Sequence, residues 1–176
     1  MGQQAATRGA PYTRLLAGAG AGFLATGPMS LAMVLMHRLL PARQRYPLPP
    51  EQITLVVGPG PGAIARWHEP ARTIATGILH FGIGATGGAG YALLAQRVRL
   101  QSLLRGIAYG LLIWTAGYLG VLPGLGILRP ATAHPAGRNL LMISAHVVWG
   151  AVLAALYDAW EQKNSRKIAE KGETHA

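Results

Sequence analysis

The chain has 176 residues, 51% of them hydrophobic and 12% charged, where a typical soluble domain carries about 25% charged residues. It contains no Cys, which excludes a disulfide scaffold, thiolate metal sites and a Cys nucleophile. The formal net charge of +10 would suggest nucleic acid in a soluble protein, but these basic residues flank apolar runs, so they are read as topology determinants and no nucleic-acid partner is expected.

Four stretches hold no charged residue: 15–36, 73–96, 106–128 and 139–157. A bilayer core needs roughly 20 apolar helical residues, so each is a predicted transmembrane helix, and the fold class is an all-α integral membrane bundle of four spans. Segment 1–14, with Arg8 and Arg14, lacks a cleavable-signal pattern and is expected to stay attached. The first span carries Gly18 and Gly22, and Gly27-Pro28 is expected to kink it. An outer loop follows at 37–72, where Pro41, Pro47, Pro49 and Pro50 disfavour continuous helix. Within it Pro50 can open a short interfacial helix through EQITLVV, stopped by the GPGPG turn at 58–62. The second span contains His80, Gly84 and Gly88, and the third contains Gly106, Gly110, Gly120 and Gly124 with a kink expected at Pro123. His146 and Gly150 lie in the fourth. The membrane domain is thus 15–158, and the polar tail 159–176 reads as a solvated helical extension of span four.

Arginines and lysines in short loops orient such a bundle. Nine lie on the side of the termini and the 97–105 loop, seven on the opposite side, which predicts both termini in the cytoplasm. The G-x-x-x-G pairs Gly18/Gly22, Gly84/Gly88, Gly106/Gly110 and Gly120/Gly124 put small residues on one helix face, where backbones can approach closely. Such faces on all of the first three spans exceed what one compact bundle needs, which points to other transmembrane subunits as partners. Spans two and four share H-x3-G-A-x5-Y, from His80 to Tyr91 and from His146 to Tyr157, with Arg72 and Arg138 eight residues ahead of the His. Spans one and three share LL-x-G-x3-G. Two parallel helical-hairpin repeats would explain both matches, and chance in a Gly- and Ala-rich chain is the competing explanation.

None of the six carboxylates lies inside a span, which argues against proton-coupled transport. Nucleotide loops, hydrolase elbows and zinc-protease motifs are missing, and no catalytic residue is assigned. The histidines are the exception. His80 and His146 start about eight residues into their spans from the same side, hence roughly 12 Å deep. Two imidazoles at matched depth can ligate a haem, or each can hold the metal of a bacteriochlorophyll-type tetrapyrrole, with Gly84 and Gly150 making room for a flat ring. The plainer alternative is that each bonds a neighbouring carbonyl or hydroxyl, with Thr76 and Ser144 in range. Trp114 and Trp149 are expected to pack, and Trp67 and Trp160 to sit at the interfaces.

In the second half, Leu122-Pro123, the His134-Pro135 loop and His146-Val-Val-Trp149-Gly150 resemble the YagU-like family of small bacterial inner-membrane proteins. The resemblance implies a four-span protein of the bacterial inner membrane and supplies no activity to carry over. The function expected from the sequence is a non-enzymatic accessory or assembly subunit packed in a larger respiratory or photosynthetic complex. The alternatives are a tetrapyrrole- or metal-binding protein using His80 and His146, and a small transporter.

Overall fold

The computed structural model describes residues 11–57 and 66–173; Arg8, His175 and the GPGPG turn lie outside them. The helices are α1 (Pro11–Leu39), α2 (Pro49–Val57), α3 (Glu69–Ala95), α4 (Ser102–Gly124) and α5 (Ala136–Glu173), with no strand among the described residues. All but α2 are long and apolar enough to cross a membrane, so the chain is a multi-pass membrane protein. Leu24, Leu31, Ile74, Leu103, Leu112 and Leu140 point outward, as lipid-facing residues do.

The helices overrun the charge-free stretches because terminal cations find partners. Arg14, inside α1, donates to Gln96 Oε1 at 2.8 Å and lies 4.0 Å from Glu161. Arg105, inside α4, donates to Tyr91 Oη at 2.9 Å and to Asp158 Oδ1 at 3.0 Å. Where the sequence suggested a third span reaching 128, α4 stops at Gly124. Gly126 adopts φ 69°, and its N–H and that of Ile127 bond Pro123 O and Leu122 O at 3.0 and 2.9 Å. That is the Schellman arrangement, and glycine enters its left-handed position without strain. Just before Pro123 the helix widens into a π turn, Ala116–Val121, where Leu122 N–H reaches back to Gly117 O. α1 runs as one helix through Pro28.

The long helices pack as α1 on α3, α4 on α5 and α1 on α5, whereas α3 and α4 barely meet. Glycines set the close approaches. A Cβ added to Gly22 would lie 2.8 Å from Gly88 Cα, and one on Gly88 2.7 Å from Gly22 Cα; Gly18 faces Gly88 and Ala92. In the second hairpin Gly106 faces Gly150 and Ala154, and Gly110 faces His146 and Gly150. Three of the four glycine pairs therefore face partners inside this chain. Among those four pairs, Gly120/Gly124 alone meets nothing within 4 Å among the described residues, so one unpartnered pair remains of the expected surplus.

The hairpins do repeat in their packing, but one turn away from the motif. Gly88 and Gly150 play matching parts 62 positions apart, as do Ala92 with Ala154 and Gly84 with His146, whereas His80 and His146 are 66 apart. Close backbone approach depends on which small residue abuts the facing helix, and the shared letters did not record that.

Each end of the bundle is tied by arginine. At the terminal end Arg105 joins α3, α4 and α5, and Tyr91, Tyr109 and Tyr157 pack beside it with ring centroids 5.4 and 5.7 Å apart. At the loop end Arg138, 4% exposed, donates to the carbonyls of Gln44, Tyr46 and Pro47 at 3.1, 2.8 and 2.9 Å and lies 3.7 Å over the Tyr46 ring. Its motif-mate Arg72 bridges Glu51 of α2 and Glu69 of α3 at 3.4 and 2.5 Å. Arg72 and Arg138, although not equivalent in the packing register, thus both fasten the segment between α1 and α3.

Tyr46 Oη also lies 2.7 Å from His134 Nδ1. Burial, with the nearby Arg138 and Arg129 charges, holds His134 below the ordinary imidazole range against the opposing pull of the Arg129 carbonyl. A base with a lowered native pKa favours the native state most when neutral. Its contribution is therefore complete above about pH 6.5 and is lost as the pH falls from there towards the lowered value. Thermal melts in detergent from pH 7.5 to 5 should show this acid loss, and His134→Gln should remove part of it.

Candidate functional site

The seam where α3 and α4 fail to meet is a cleft of about 870 Å³. Its origin follows from the packing repeat. On the α1–α5 seam the Trp149 indole is buried and its Nε1 donates to Gly22 O at 3.2 Å. In the packing register the position matching Trp149 is Gly87, which brings no side chain of its own to the α3–α4 seam; the edge of the Trp149 ring reaches it, 3.0 Å from where a Cβ would stand. One seam is filled and its counterpart is open. Tyr109 closes the open seam towards the terminal end, donating to Gly87 O at 2.7 Å, and Pro50 and Ile53 of α2 cover it towards the loop end.

Ile78 and Ile83 of α3 and Val121 of α4 border the cleft and are well exposed, so it opens sideways towards lipid. Met142, His146 and Trp149 of α5 form the floor, and Ala116, Gly117 and Tyr118 of the π turn form part of one wall. No Lys, Arg, Asp or Glu is among the lining residues. A site this size, apolar with a few polar groups, suits a small lipophilic molecule.

The two polar groups that stand out are the sequence candidates themselves. His80 and His146 both line this cleft. His146 is 6% exposed, its Nδ1 lies 2.8 Å from Met142 O, and its ring stands edge-on to Tyr118 with centroids 5.8 Å apart. A carbonyl only accepts, so Nδ1 carries the proton and Nε2 keeps its lone pair. His80 Nε2 is buried without a hydrogen-bond partner among the described residues, which is costly unless the cleft's occupant supplies one. Neither ring bonds the hydroxyl of Thr76 or Ser144.

The other sequence candidates divide between scaffold and lipid face. Gly18, Gly22, Gly88, Gly106, Gly110 and Gly150 sit at helix crossings, and Gly84 both packs on Thr26 and lines the cleft. Gly120 and Gly124 lie apart from it. Trp114 stacks on Tyr118 with centroids 6.4 Å apart. Sequence reasoning missed Gly87, Tyr109, Tyr118 and the α2 cover; the only available signal was the glycine cluster 82–90 beside His80. Among the described residues no three His, Asp or Glu side chains gather to hold a free metal ion.

A family model described as "Protein of unknown function (DUF1440)" matches residues 30–155. No curated protein and no solved structure matches.

Proposed function

The chain belongs to the DUF1440 family of proteins of unknown function, and on the geometry of its cleft we propose that it is a membrane-embedded binding protein that draws a lipophilic ligand from the bilayer, with His80 and His146 as polar anchors. The observation that carries this is His80 Nε2, buried and unpartnered among the described residues, in an apolar cleft open towards lipid. The ligand's apolar body replaces lipid contacts along Ile78, Ile83 and Val121, while a polar centre meets the imidazoles. The Lys and Arg distribution and the family resemblance support a bacterial cytoplasmic membrane with both termini inside. An accessory subunit of a larger complex draws less support, because Gly120 and Gly124 alone remain as an unpartnered glycine pair. A coupled transporter draws less still, since no carboxylate lines the cleft.

Extraction tests the proposal. Protein purified from its own membranes in mild detergent, extracted with organic solvent and analysed by mass spectrometry, should yield one lipophilic species near one per chain, enriched over bulk lipid. Gly117 lines the cleft, and a Cβ there meets only Leu122 Cδ1 at 4.0 Å, so Gly117→Phe fills the space without breaking a helix contact. That variant should lose the species. Equal recovery from both proteins would refute the proposal.

A further inference from the structure

Resting on that reading, we propose that the ligand is an uncharged metal tetrapyrrole and that His146 Nε2 is its axial ligand. Three observations converge on this class. The His146 Nδ1–H to Met142 O bond, 2.8 Å, fixes the tautomer and turns a lone pair outward, the arrangement in which histidine ligates metals. A ligand that only accepts hydrogen bonds, such as a quinone carbonyl, would find no proton on that nitrogen. At His146 the choice is between a hydroxyl donor and a metal, and the size and apolar lining of the cleft favour a metal held in a macrocycle.

Shape comes from the missing side chains. Gly82 and Gly117 are both on the lining; a Cβ at Gly82 would meet nothing within 4 Å and one at Gly117 only Leu122 Cδ1 at 4.0 Å. A volume of about 870 Å³, lined mainly by apolar side chains and open at these two glycines, is large enough to admit a macrocycle. Tyr118 stands edge-on to His146 and, with burial, keeps the imidazole in place.

Charge sets the periphery. A haem with free propionates needs cations beside them, and no Lys or Arg lines the cleft. Ring carboxyls must therefore be esterified or absent. His80 lines the same cleft from α3. A metal held by one or two imidazoles within a macrocycle also needs no three-residue cage. The bond formed is dative, from the Nε2 lone pair to the axial position of the metal. The proton stays on Nδ1 and no electron is transferred.

The test uses the full-length protein in detergent, stripped of lipophiles, with two probes: zinc protoporphyrin IX dimethyl ester and the same ester without metal. Both should bind and compete with each other, and Gly117→Phe should bind neither. Only the zinc form should show the red-shifted Soret band of an axial nitrogen ligand. His146→Ala should lose that shift while still binding the metal-free ester, and added imidazole should restore it. The wild-type comparison of the two esters needs no variant, so a folding defect in His146→Ala leaves the test intact. Binding of both esters without a shift would overturn the ligation while the cleft reading stands. A shift that survives His146→Ala but is lost in His80→Ala would overturn the assignment to His146. If neither ester binds and extraction still yields a lipophile, the tetrapyrrole class is overturned; if extraction is also negative, the cleft reading fails with it.

Discussion

Substituting leucine for Gly150 should destabilise the protein by about 3 kcal/mol or more, read as a large drop in thermal midpoint in detergent and loss of the monodisperse peak. A Cβ at Gly150 would lie 2.8 Å from Gly106 C and 3.2 Å from Gly110 N. Those atoms are backbone of the facing helix, so the clash cannot be relieved by rotating a side chain, and α4 must move away from α5. The displacement would also shift His146, one turn earlier on α5. Gly20→Leu is the matched control, because a Cβ there meets nothing within 4 Å. It should leave the midpoint unchanged or raise it slightly, since leucine has the higher helix propensity.

The second large effect is expected at Arg138. Its guanidinium satisfies the carbonyls of Gln44, Tyr46 and Pro47 from a site that is 4% exposed. Hydrogen bonds to a charged group are worth about 1.5–3 kcal/mol each, and carbonyls left buried without donors carry a further cost. Arg138→Met should therefore cost about 3 kcal/mol after allowing for relaxation of the loop. Lys, a point donor without the planar fork, should recover only part of that. The loss should be local as well as global. Residues 42–47 should become protease-sensitive, and α2, which covers the cleft through Pro50 and Ile53, should lose its hold. Limited proteolysis beside a thermal melt would distinguish release of the loop from unfolding of the bundle.

Most of the helical architecture was legible in the sequence. A run of about 20 residues without charge has few outcomes other than a membrane helix, and all four runs became one. The short helix opened at the Pro49-Pro50 pair was also legible, because proline suits a first turn. Helix ends were harder. Arg14 and Arg105 lie inside helices because partners far along the chain neutralise them, and the end of α4 was decided by Gly126 rather than by where charge resumes.

The site was half legible. Spacing suggested a matched depth for His80 and His146; both line one cleft, but in the packing register the position matching His146 is Gly84, so His80 sits one turn nearer the loop end. The cleft itself was hidden, because it depends on which pairs of helices meet. Gly18 pairs with Gly88, and Gly106 with Gly150, and only then does the contrast between Trp149 and Gly87 leave one seam filled and the other open. The clamp from Arg138 to Tyr46 spans 92 residues and involves backbone carbonyls, which leave no trace in residue identity. Glycine spacing showed that helices would approach closely, but it could not show that three of the four pairs would be used up within the chain.

An experimental density map of the protein purified from its own membranes tests directly whether the α3–α4 cleft holds a lipophilic ligand. Continuous non-protein density is expected in the α3–α4 cleft, bordered by Ile83 and Gly117 and reaching His80 and His146. A map in which α3 packs against α4 with no cleft between them, or in which the cleft holds only density matching the surrounding lipid annulus, would contradict it.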